Sequence, residues 1–425
     1  MSTTAALIGR FLVCFLTCGI VLTLSTSTIC TPLWLDSIGP TKKETNATSN
    51  NSSTPSFRHV DGFSIILQVN IVFCTVSGVI VLCLKLCSNQ LTDANQSFPK
   101  LQFFWIGFAD SLSSIFSVYA SSGTRTAPYL QALAINFAIP ITFIIRFILL
   151  RKYPTRRKTI AALTVLVAEF IALIPSIFPS LQSTESKDEE GGAKGVAGVL
   201  WPLCFALTFI PQGVVNVVIE RSTKTQMKTR TGELDQVHPF YLMFWSFLFC
   251  CVSLLALFWT DIIPGFGMTD GISDFGNVFL FNLKCFVGLG HCRPDMYIFA
   301  WTCMIAMFTN RILVVLFLRF SEGANYLVII QSLQTPVVLL FWTLFQEHPF
   351  QWNPEGHLST WLSIVSVIII LPAIYVYNKG DMELSADRDN YQPLPDGAQS
   401  TISYQSIQAD SQNGSVYSCH MTVTD

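Results

Sequence analysis

Charged residues are scarce in this sequence. Asp, Glu, Lys and Arg make up 12% of its 425 residues, whereas an ordinary soluble protein has about 25%. With a net charge of −2 and no basic patch, the chain lacks the features of a nucleic-acid-binding protein. Long apolar stretches recur along it instead, and 51% of its residues are hydrophobic. This composition predicts an integral membrane protein with many spans, embedded in the lipid membrane.

The sequence also lacks the motifs of the common catalytic and metal sites. It has no Walker phosphate-binding loop, no GxSxG and no HExxH. Its 13 cysteines form no CxxC pair and no Cys/His cluster with metal-ligand spacing. An intramembrane aspartyl protease would need two aspartates at membrane depth, and no second span offers one. We therefore predict no enzyme, no catalytic residues, no metal and no cofactor.

Ten apolar stretches are each about 20 residues long, which is the length that a helix needs to cross a bilayer. This number of spans does not fit a seven-span receptor. The first stretch could instead be a cleaved signal peptide, but its apolar core is long and no clean small-residue cleavage site follows at once. The predicted spans are residues 7–28, 62–84, 101–121, 127–149, 159–179, 197–219, 238–260, 297–318, 324–345 and 358–377.

The distribution of Lys and Arg predicts the direction in which the spans run. Basic residues are concentrated in the short loops after spans 4 and 6, and such loops are expected in the cytosol. Both termini are then cytosolic, and the loop between spans 1 and 2 is lumenal. That loop carries three glycosylation sequons, which agrees with this orientation. The predicted glycosylation sites are Asn46, Asn50 and Asn51.

Two stretches of the sequence repeat each other. A pattern in and after span 3 returns 200 residues later in span 8, and a proline in span 4 returns 196 residues later in span 9. Because each half has five spans, an odd number, the second half must insert upside down, and inverted repeats are typical of secondary transporters. The matching positions are Phe108 and Phe308, Asp110 and Asn310, Ser121 and Ser321, Gly123 and Gly323, and Pro140 and Pro336.

We therefore predict an all-α membrane protein with ten transmembrane helices. The helices form two inverted five-helix repeats around a central cavity, at residues 1–179 and 197–377, with a lumenal linker at 180–196. The residues after this bundle, 378–425, are polar and rich in Ser, Asp and Gln, and we expect a disordered cytosolic tail.

Ionisable groups at membrane depth are costly and are therefore candidates for function. Asp110 and Arg311 lie in the repeated stretches, where we expect them to face the cavity; a fixed ion pair between helices is the alternative. Glu169 in span 5 is either a further candidate or a neutral carboxyl that is hydrogen-bonded within the bundle. Arg146 lies near the cytosolic end of span 4, and we expect it to extend to the lipid headgroups in a structural role.

Amides and prolines complete the predicted substrate site. Spans 4 and 9 each carry two amides within ten residues before a mid-helix proline. A proline there bends the helix and leaves a carbonyl without its donor, so Pro140 and Pro336 are predicted hinges. Hydrogen bonds between helices, without a ligand, are the alternative role of the amides. The predicted substrate-binding and proton-coupling residues are Asp110, Arg311, Asn310, Gln131, Asn136, Gln331, Gln334 and Glu169.

Two further features lie outside the spans. Cys285 and Cys292 lie in the long lumenal loop before span 8, where they form either a disulfide or two free thiols. The tail contains two tyrosine motifs of the kind that clathrin adaptors read in extended tails. These motifs run from Tyr391 to Leu394 and from Tyr404 to Ile407. They predict clathrin adaptors as partners and an endolysosomal location.

The stretch from Lys100 to Tyr153 resembles spans 3 and 4 of the chloroquine resistance transporter family, within the drug/metabolite transporter superfamily. The matching pieces are LQFF at 101–104, Asp110, Thr-Arg-Thr at 124–126, Pro140 and the basic exit at Arg151. A second match comprises Cys285-Phe-Val-Gly-Leu-Gly, Asn310 and the run from Ser321 through Tyr326 to Pro336. The resemblance implies the drug/metabolite transporter fold. It also implies export of amino acids, peptides, thiols and cationic drugs from a vacuole or lysosome, driven by protons and membrane potential.

The chain departs from that family at several positions. Its first lumenal loop is longer, and it has only Cys285 and Cys292 where the family's parasite members have four cysteines. It has Arg311 where those members have an apolar residue. Because a fixed positive charge repels cationic drugs, anionic or zwitterionic solutes are expected instead.

These observations predict a secondary active transporter. We expect it to export small polar metabolites, such as amino acids, short peptides or thiols such as glutathione, from an acidic vacuole or lysosome to the cytosol. Protons are the predicted coupling partner, through Asp110. Two alternatives stay open: a nucleotide-sugar or organic-anion antiporter of the Golgi, and a membrane receptor or scaffold that transports nothing.

Overall fold

The protein is a bundle of α-helices. The computed structural model describes residues 3–37, 61–88, 91, 93–121, 125–126, 131, 134–151, 154–177, 193, 196–228, 234–267, 269, 271–289, 296–321, 323–346, 351–352, 354 and 358–381. Its helices are α1 (Thr3–Ser37), α2 (Gly62–Cys87), α3 (Asp93–Ser97), α4 (Lys100–Ala120), α5 (Ala138–Leu150), α6 (Arg156–Ile177), α7 (Ala197–Leu207), α8 (Phe209–Lys224), α9 (Pro239–Ala256), α10 (Ile272–Phe286), α11 (Met296–Phe320), α12 (Ala324–Gln331), α13 (Gln334–Leu344) and α14 (Leu358–Asp381).

Two short antiparallel hairpins accompany the helices. One pairs β1 (Gln226–Lys228) with β2 (Leu234–Gln236), and the other pairs β3 (Phe345–Gln346) with β4 (Gln351–Trp352). A 3-10 helix, Phe258–Ile262, follows α9. The sequence analysis predicted none of these elements, and it also missed α10, which packs against α2.

Seven helical segments of the described part are long and apolar enough to cross a membrane, with α7–α8 and α12–α13 each counted as one segment. Two further apolar helices are shorter, within Ala138–Leu150 and Ile364–Tyr377. The remaining predicted span, 159–179, corresponds to α6, a helix that begins with three basic residues. The chain is therefore an all-α membrane protein.

The helices pack in pairs that join the two halves of the chain. Helix α1 packs on α11, α4 on α8, α2 on α9, and α6 on α14. The crossing of α4 and α9 is especially close at Gly107, where an added Cβ would lie 2.5 Å from Ser246 O and 2.6 Å from Cys250 N. Only glycine permits this approach.

Two predicted spans are interrupted three or four residues before their prolines. Pro140 has no N–H to donate to Asn136 O, and this carbonyl accepts a 3.4 Å bond from Ile139 N instead. In the same way Ser332 O, four residues before Pro336, accepts a 3.3 Å bond from Thr335 N. The chain forms turns at residues 136–137 and 332–333 and then continues as α5 and α13.

The predicted span 197–219 has an interruption that we did not predict. Helices α7 and α8 meet at Thr208, three residues before Pro211. The Thr208 carbonyl accepts both the Gln212 N–H, at 3.2 Å, and the Ser113 hydroxyl, at 3.2 Å. Pro211 has no N–H to donate to the carbonyl of Leu207, the residue next to this interruption.

Candidate functional site

Asp110 and Arg311 form an ion pair in the middle of two spans. Asp110 lies at the centre of α4 and Arg311 beyond the centre of α11. Arg311 Nη2 donates to Asp110 Oδ1 at 2.6 Å. The Asp110 side chain is 8% exposed and that of Arg311 29% exposed. The structure thus brings together the two charged residues that the sequence analysis selected. They form the ion pair between helices that was the alternative to two groups facing the cavity.

Helix α1 contacts two of the predicted amides, Asn310 and Gln334. Asn310, which precedes Arg311 in α11, has its Oδ1 3.3 Å from the Thr23 hydroxyl. Gln334, at the start of α13, donates to the hydroxyl of Thr28. The polar face of α1 was missed in the sequence analysis. The run TLSTSTICT at residues 23–31 was the available signal, because it is unusually rich in hydroxyls for a membrane span.

A second polar run joins α4 to α8. The Ser113 hydroxyl lies 3.3 Å from Gln212 Oε1, and Gln212 Nε2 donates to Asn216 Oδ1 at 3.5 Å. Ser113 is one turn beyond Asp110 on α4. Polar side chains of α1 and α8 therefore contact α11 and α4, the two helices that carry Asp110 and Arg311.

The three remaining predicted amides have different surroundings. Gln131 Nε2 donates to Ser121 O at 2.9 Å and to Thr126 O at 2.8 Å, and so stabilises the connection after α4. Asn136 is buried at the turn before α5, and its side-chain atoms have no hydrogen-bond partner in the described part of the chain. Gln331 is half-buried at the end of α12.

Glu169 is fully buried in α6. Ser332, at the turn between α12 and α13, lies beside it, but the Ser332 hydroxyl donates to Ile329 O at 2.7 Å. Among the residues that the structure describes, neither carboxyl oxygen of Glu169 has a hydrogen-bond partner. An ionised carboxylate in that place would bear the full cost of desolvation. A neutral carboxyl fits the site, without the hydrogen bond that we expected for it.

The expectation for Arg146 was wrong. Arg146 does not extend to the headgroups; it is 8% exposed and binds Glu220 of α8, which is fully buried. Arg146 Nε donates to Oε2 at 3.0 Å and Nη2 donates to Oε1 at 2.7 Å. The physical reason is that a guanidinium and a carboxylate form two parallel, charge-assisted hydrogen bonds. This pairing stabilises Arg146 more than contact with the lipid headgroups would. We missed Glu220 because it follows the predicted end of span 6.

The Glu220 carboxylate also binds the start of α12. Its Oε2 accepts the N–H of Ala324 at 2.8 Å, one of the donors that a helix start leaves without an internal partner. Gly323 precedes it with φ +124°, a conformation that favours glycine. A Cβ at Gly323 would collide with the carboxylate. Lys224 contributes a further contact from the next turn of α8, at 3.4 Å.

The opposite end of α4 meets a different cluster, which contains two buried aspartates. Asp61 precedes α2 and accepts the N–H groups of Phe63 and Ser64 at 3.0 and 2.9 Å, as a helix N-cap. Asp261, in the 3-10 helix, accepts the hydroxyls of Tyr119 at 3.0 Å and Thr269 at 2.8 Å. Burial, together with the neighbouring Asp261, raises the pKa of Asp61 to about 6.

Arg125 is the cation of this cluster. Its Nη1 donates to the carbonyls of Tyr119 and Phe266, both at 2.9 Å, and its guanidinium lies 4.3 Å from the ring centre of Trp201. Burial lowers the pKa of Arg125, although Asp261 nearby favours the charged form. The cluster ties the connection after α4 to the segment after α9.

Several predicted sites lie wholly or partly outside the described residues. Cys285 is in a disulfide, but Cys292, its predicted partner, is outside the described part, so the pairing stays a prediction. The glycosylation sites and the sorting motifs are outside it as well: Asn46, Asn50, Asn51, Tyr391, Leu394, Tyr404 and Ile407.

Comparison with known proteins identifies the family of this chain. A family model described as CRT-like, chloroquine-resistance transporter-like, matches residues 57–377. The chain belongs to the CRT-like family. The Crt homolog 2 of Dictyostelium discoideum is 29% identical over 116 residues, which are 27% of this chain and 24% of that protein. The match to this curated relative thus spans about a quarter of its length. The family resemblance noted in the sequence is confirmed.

A solved crystal structure of a protein is similar over most of the chain. The alignment covers 87% of this chain and 97% of the other, at 14% identity and a TM-score of 0.46. A likeness of this degree carries no argument about function.

Proposed function

We propose that this CRT-like protein is a proton-coupled secondary transporter that exports small polar metabolites from an acidic vacuole or lysosome to the cytosol. Amino acids, short peptides and thiols such as glutathione are the proposed substrates. Family membership supports membrane transport. The substrate class, the direction and the coupling are proposals that rest on the chemistry of the site.

The Asp110–Arg311 pair is the observation that carries this proposal. The two charges lie in the middle of α4 and α11. An ionisable group at that depth of a membrane is costly and is therefore a candidate for function. The Arg311 side chain is more exposed than that of Asp110, which supports a role for Arg311 in binding a second anion. A substrate carboxylate can take the same fork-shaped contacts that Asp110 now makes. Amides and hydroxyls near the pair, such as Asn310 and Thr23, suit the other polar groups of such a solute.

Proton coupling follows from an exchange of partners. In the lumen-facing state Asp110 is separated from Arg311 and binds a proton, while Arg311 holds the substrate carboxylate. After opening to the cytosol the substrate leaves, Arg311 returns to Asp110, and the carboxyl proton is released. The structure has the paired arrangement that ends this cycle.

The packing of the helices supports the inverted repeat. Exchanging the two halves turns the α1–α11 pair into the α8–α4 pair and leaves α2–α9 and α6–α14 unchanged, whereas the extensive α4–α9 pair has no equally extensive α11–α2 counterpart in the described part of the chain. The turns before α5 and α13 have the same backbone hydrogen bonds, offset by 196 residues: Phe137 N to Ala134 O and Leu333 N to Ile330 O, both close to 3 Å. On this basis we propose two five-helix repeats, at residues 1–179 and 197–377, that move about these turns.

The location and the orientation complete the proposal. The termini are cytosolic, the loop with Asn46, Asn50 and Asn51 is lumenal, and the tail binds clathrin adaptors. Removing the three asparagines should abolish the mass change that a glycosidase produces. A protein without Tyr391 and Tyr404 should move towards the plasma membrane.

The decisive experiment measures transport by Asp110→Asn in proteoliposomes with an imposed proton gradient. We expect the variant to lose the acid stimulation of net export while it keeps the exchange of substrate, because exchange needs no change in proton number. Export with the pH dependence of the unmutated protein would show that Asp110 is only a structural partner, and Glu169 would be the next candidate. No flux of any amino acid, peptide or thiol would overturn the proposed function itself.

A further inference from the structure

We propose that Glu220 is a latch that holds one end of the transport pathway closed. Its carboxylate joins α5 to α12, which are parts of the two spans with the predicted hinges. This inference rests on the proposed function, since a latch has a role only in a protein that opens and closes.

The contacts of Glu220 cross between three helices. The residue belongs to α8, it accepts two bonds from Arg146 of α5, and it accepts the N–H of Ala324 at the start of α12. Each of these bonds is 3.0 Å or shorter. The two carboxylate oxygens are thus occupied by groups that belong to different helices.

Burial makes these contacts interdependent. Glu220 is 0% exposed, so water does not replace a partner that is lost. A buried charge without its partner is strongly unfavourable, and therefore Glu220 holds both α5 and α12 as long as it remains buried. Gly323 allows the carboxylate to approach the start of α12, since any side chain there would collide with it.

The positions of α5 and α12 explain why these contacts must break. Helix α5 starts after the turn at 136–137, and α12 ends at the turn at 332–333. Helix α12 packs on α5 at the Glu220 end. A rotation about the two turns that separates α5 from α12 removes either Arg146 or Ala324 from the carboxylate. Opening of this end and release of Glu220 are therefore one event.

The test measures opening directly, by the labelling of a cysteine. Thr223 is fully buried next to Glu220. Thr223→Cys would be introduced into a variant without other reactive cysteines, and the rate of its reaction with a membrane-impermeant maleimide would be measured in membrane fragments accessible from both sides. Glu220→Gln keeps the shape of the side chain but removes the charge that attracts Arg146. We expect it to raise the labelling rate roughly tenfold or more.

Lys224→Gln is the matched control. It also removes a charge that contacts Glu220, but Lys224 is on the same helix and its contact is longer, at 3.4 Å. Because its contact with Glu220 lies within α8, losing that contact does not free α5 or α12 from Glu220, and the labelling rate should stay close to that of the unmutated protein. An equal increase in both variants would overturn the latch, because it would indicate general loosening.

Two milder variants keep the test valid if Glu220→Gln fails to fold. Arg146→Lys retains the positive charge but loses the two parallel bonds, and Gly323→Ala displaces the carboxylate from the start of α12. Both should raise the labelling rate, by less than Glu220→Gln. An unchanged rate in all folded variants would overturn the proposal.

Transport measured on the same variants separates this proposal from the proposed function. Faster labelling in a protein that moves no solute would support the latch and contradict the transporter. Normal flux with an unchanged labelling rate would support the transporter and contradict the latch.

Discussion

Glu220 and Glu169 are the same residue type, and both are fully buried within the helix bundle, but their surroundings are opposite. Glu220 accepts bonds from Arg146, Lys224 and the backbone of Ala324. Glu169 has no hydrogen-bond partner among the described residues. The first site stabilises a carboxylate, and the second is suited to a carboxyl without charge.

This difference shows why buried carboxyls cannot be interpreted from burial alone. A carboxylate with several donors contributes to a fixed arrangement, and its charge is needed for that arrangement. A carboxyl without donors can ionise only when water reaches it. Glu220 is therefore suited to the proposed latch, whereas Glu169 is a candidate for a group that changes its proton when the conformation changes.

The largest expected effect is the loss of the partner of Glu220. Arg146→Ala leaves a buried carboxylate without its bidentate cation, which typically costs about 3–5 kcal/mol. We expect a strongly lowered unfolding midpoint in detergent or no folded protein. Lys224→Ala is the control and should cost less than about 1 kcal/mol, because its contact is long and more exposed to solvent. Similar losses in both variants would contradict the special role of Arg146.

A third buried carboxyl, that of Asp61, extends the comparison. It accepts hydrogen bonds from Phe63 and Ser64, and it also has a second acidic residue, Asp261, nearby. Because its pKa is raised to about 6, the folded protein binds this proton more tightly than the unfolded chain. The stability from this group is therefore present at low pH and is lost as the pH rises to about 6. The charged and titratable groups that interact with Asp61 are Asp261 and Tyr119.

We expect Asp61→Asn to remove this pH dependence. Asn is also a good N-cap, so the helix start is preserved, and the difference between variant and unmutated protein should reach at most about 3 kcal/mol at pH 7 and vanish near pH 4. Unfolding midpoints measured from pH 4 to pH 7 check this. A midpoint that changes with pH by the same amount in both proteins would contradict it.

Glu169→Gln should have a smaller effect on stability. A neutral amide of the same shape replaces a neutral carboxyl, and the change should stay within about 1 kcal/mol. Thermal unfolding in detergent measures it. A loss as large as that of Arg146→Ala would mean that Glu169 is ionised and paired, which would remove the contrast with Glu220.

The smallest effect on stability is expected for Pro140→Ala and Pro336→Ala. Each variant restores an N–H that can bond to Asn136 O or Ser332 O, so the interrupted span becomes straighter. Expression should be retained while transport slows. Uptake rates of the two single variants provide the measurement, and unchanged kinetics in both would count against the hinges.

Much of the fold could be predicted from the sequence. Apolar length decides whether a stretch can cross a bilayer, so α2, α4, α9 and α11 lie close to their predicted spans. A missing N–H acts on a carbonyl four residues away, so the disturbance near Pro140 and Pro336 was also predictable. The same rule applied to Pro211 would have pointed to Leu207, the residue before the interruption at Thr208.

The site could be predicted only in part. Asp110 and Arg311 were found because a charge in an apolar stretch is conspicuous without any structure. Glu220 was not found because it lies among the polar residues that follow an apolar stretch, where a charge is ordinary. Gln131 was assigned to the substrate site, although its side chain binds the carbonyls of Ser121 and Thr126.

The sequence by itself determined the class of the protein, its family, several of its long apolar helices and the interruptions near Pro140 and Pro336, since these depend on a few neighbouring residues. Only the tertiary structure decided which charges are paired. Arg146 and Glu220 are 74 residues apart in the chain, and Asp110 and Arg311 are 201 apart. Whether a carboxyl has a partner depends on how separate helices pack, and no local pattern contains that information.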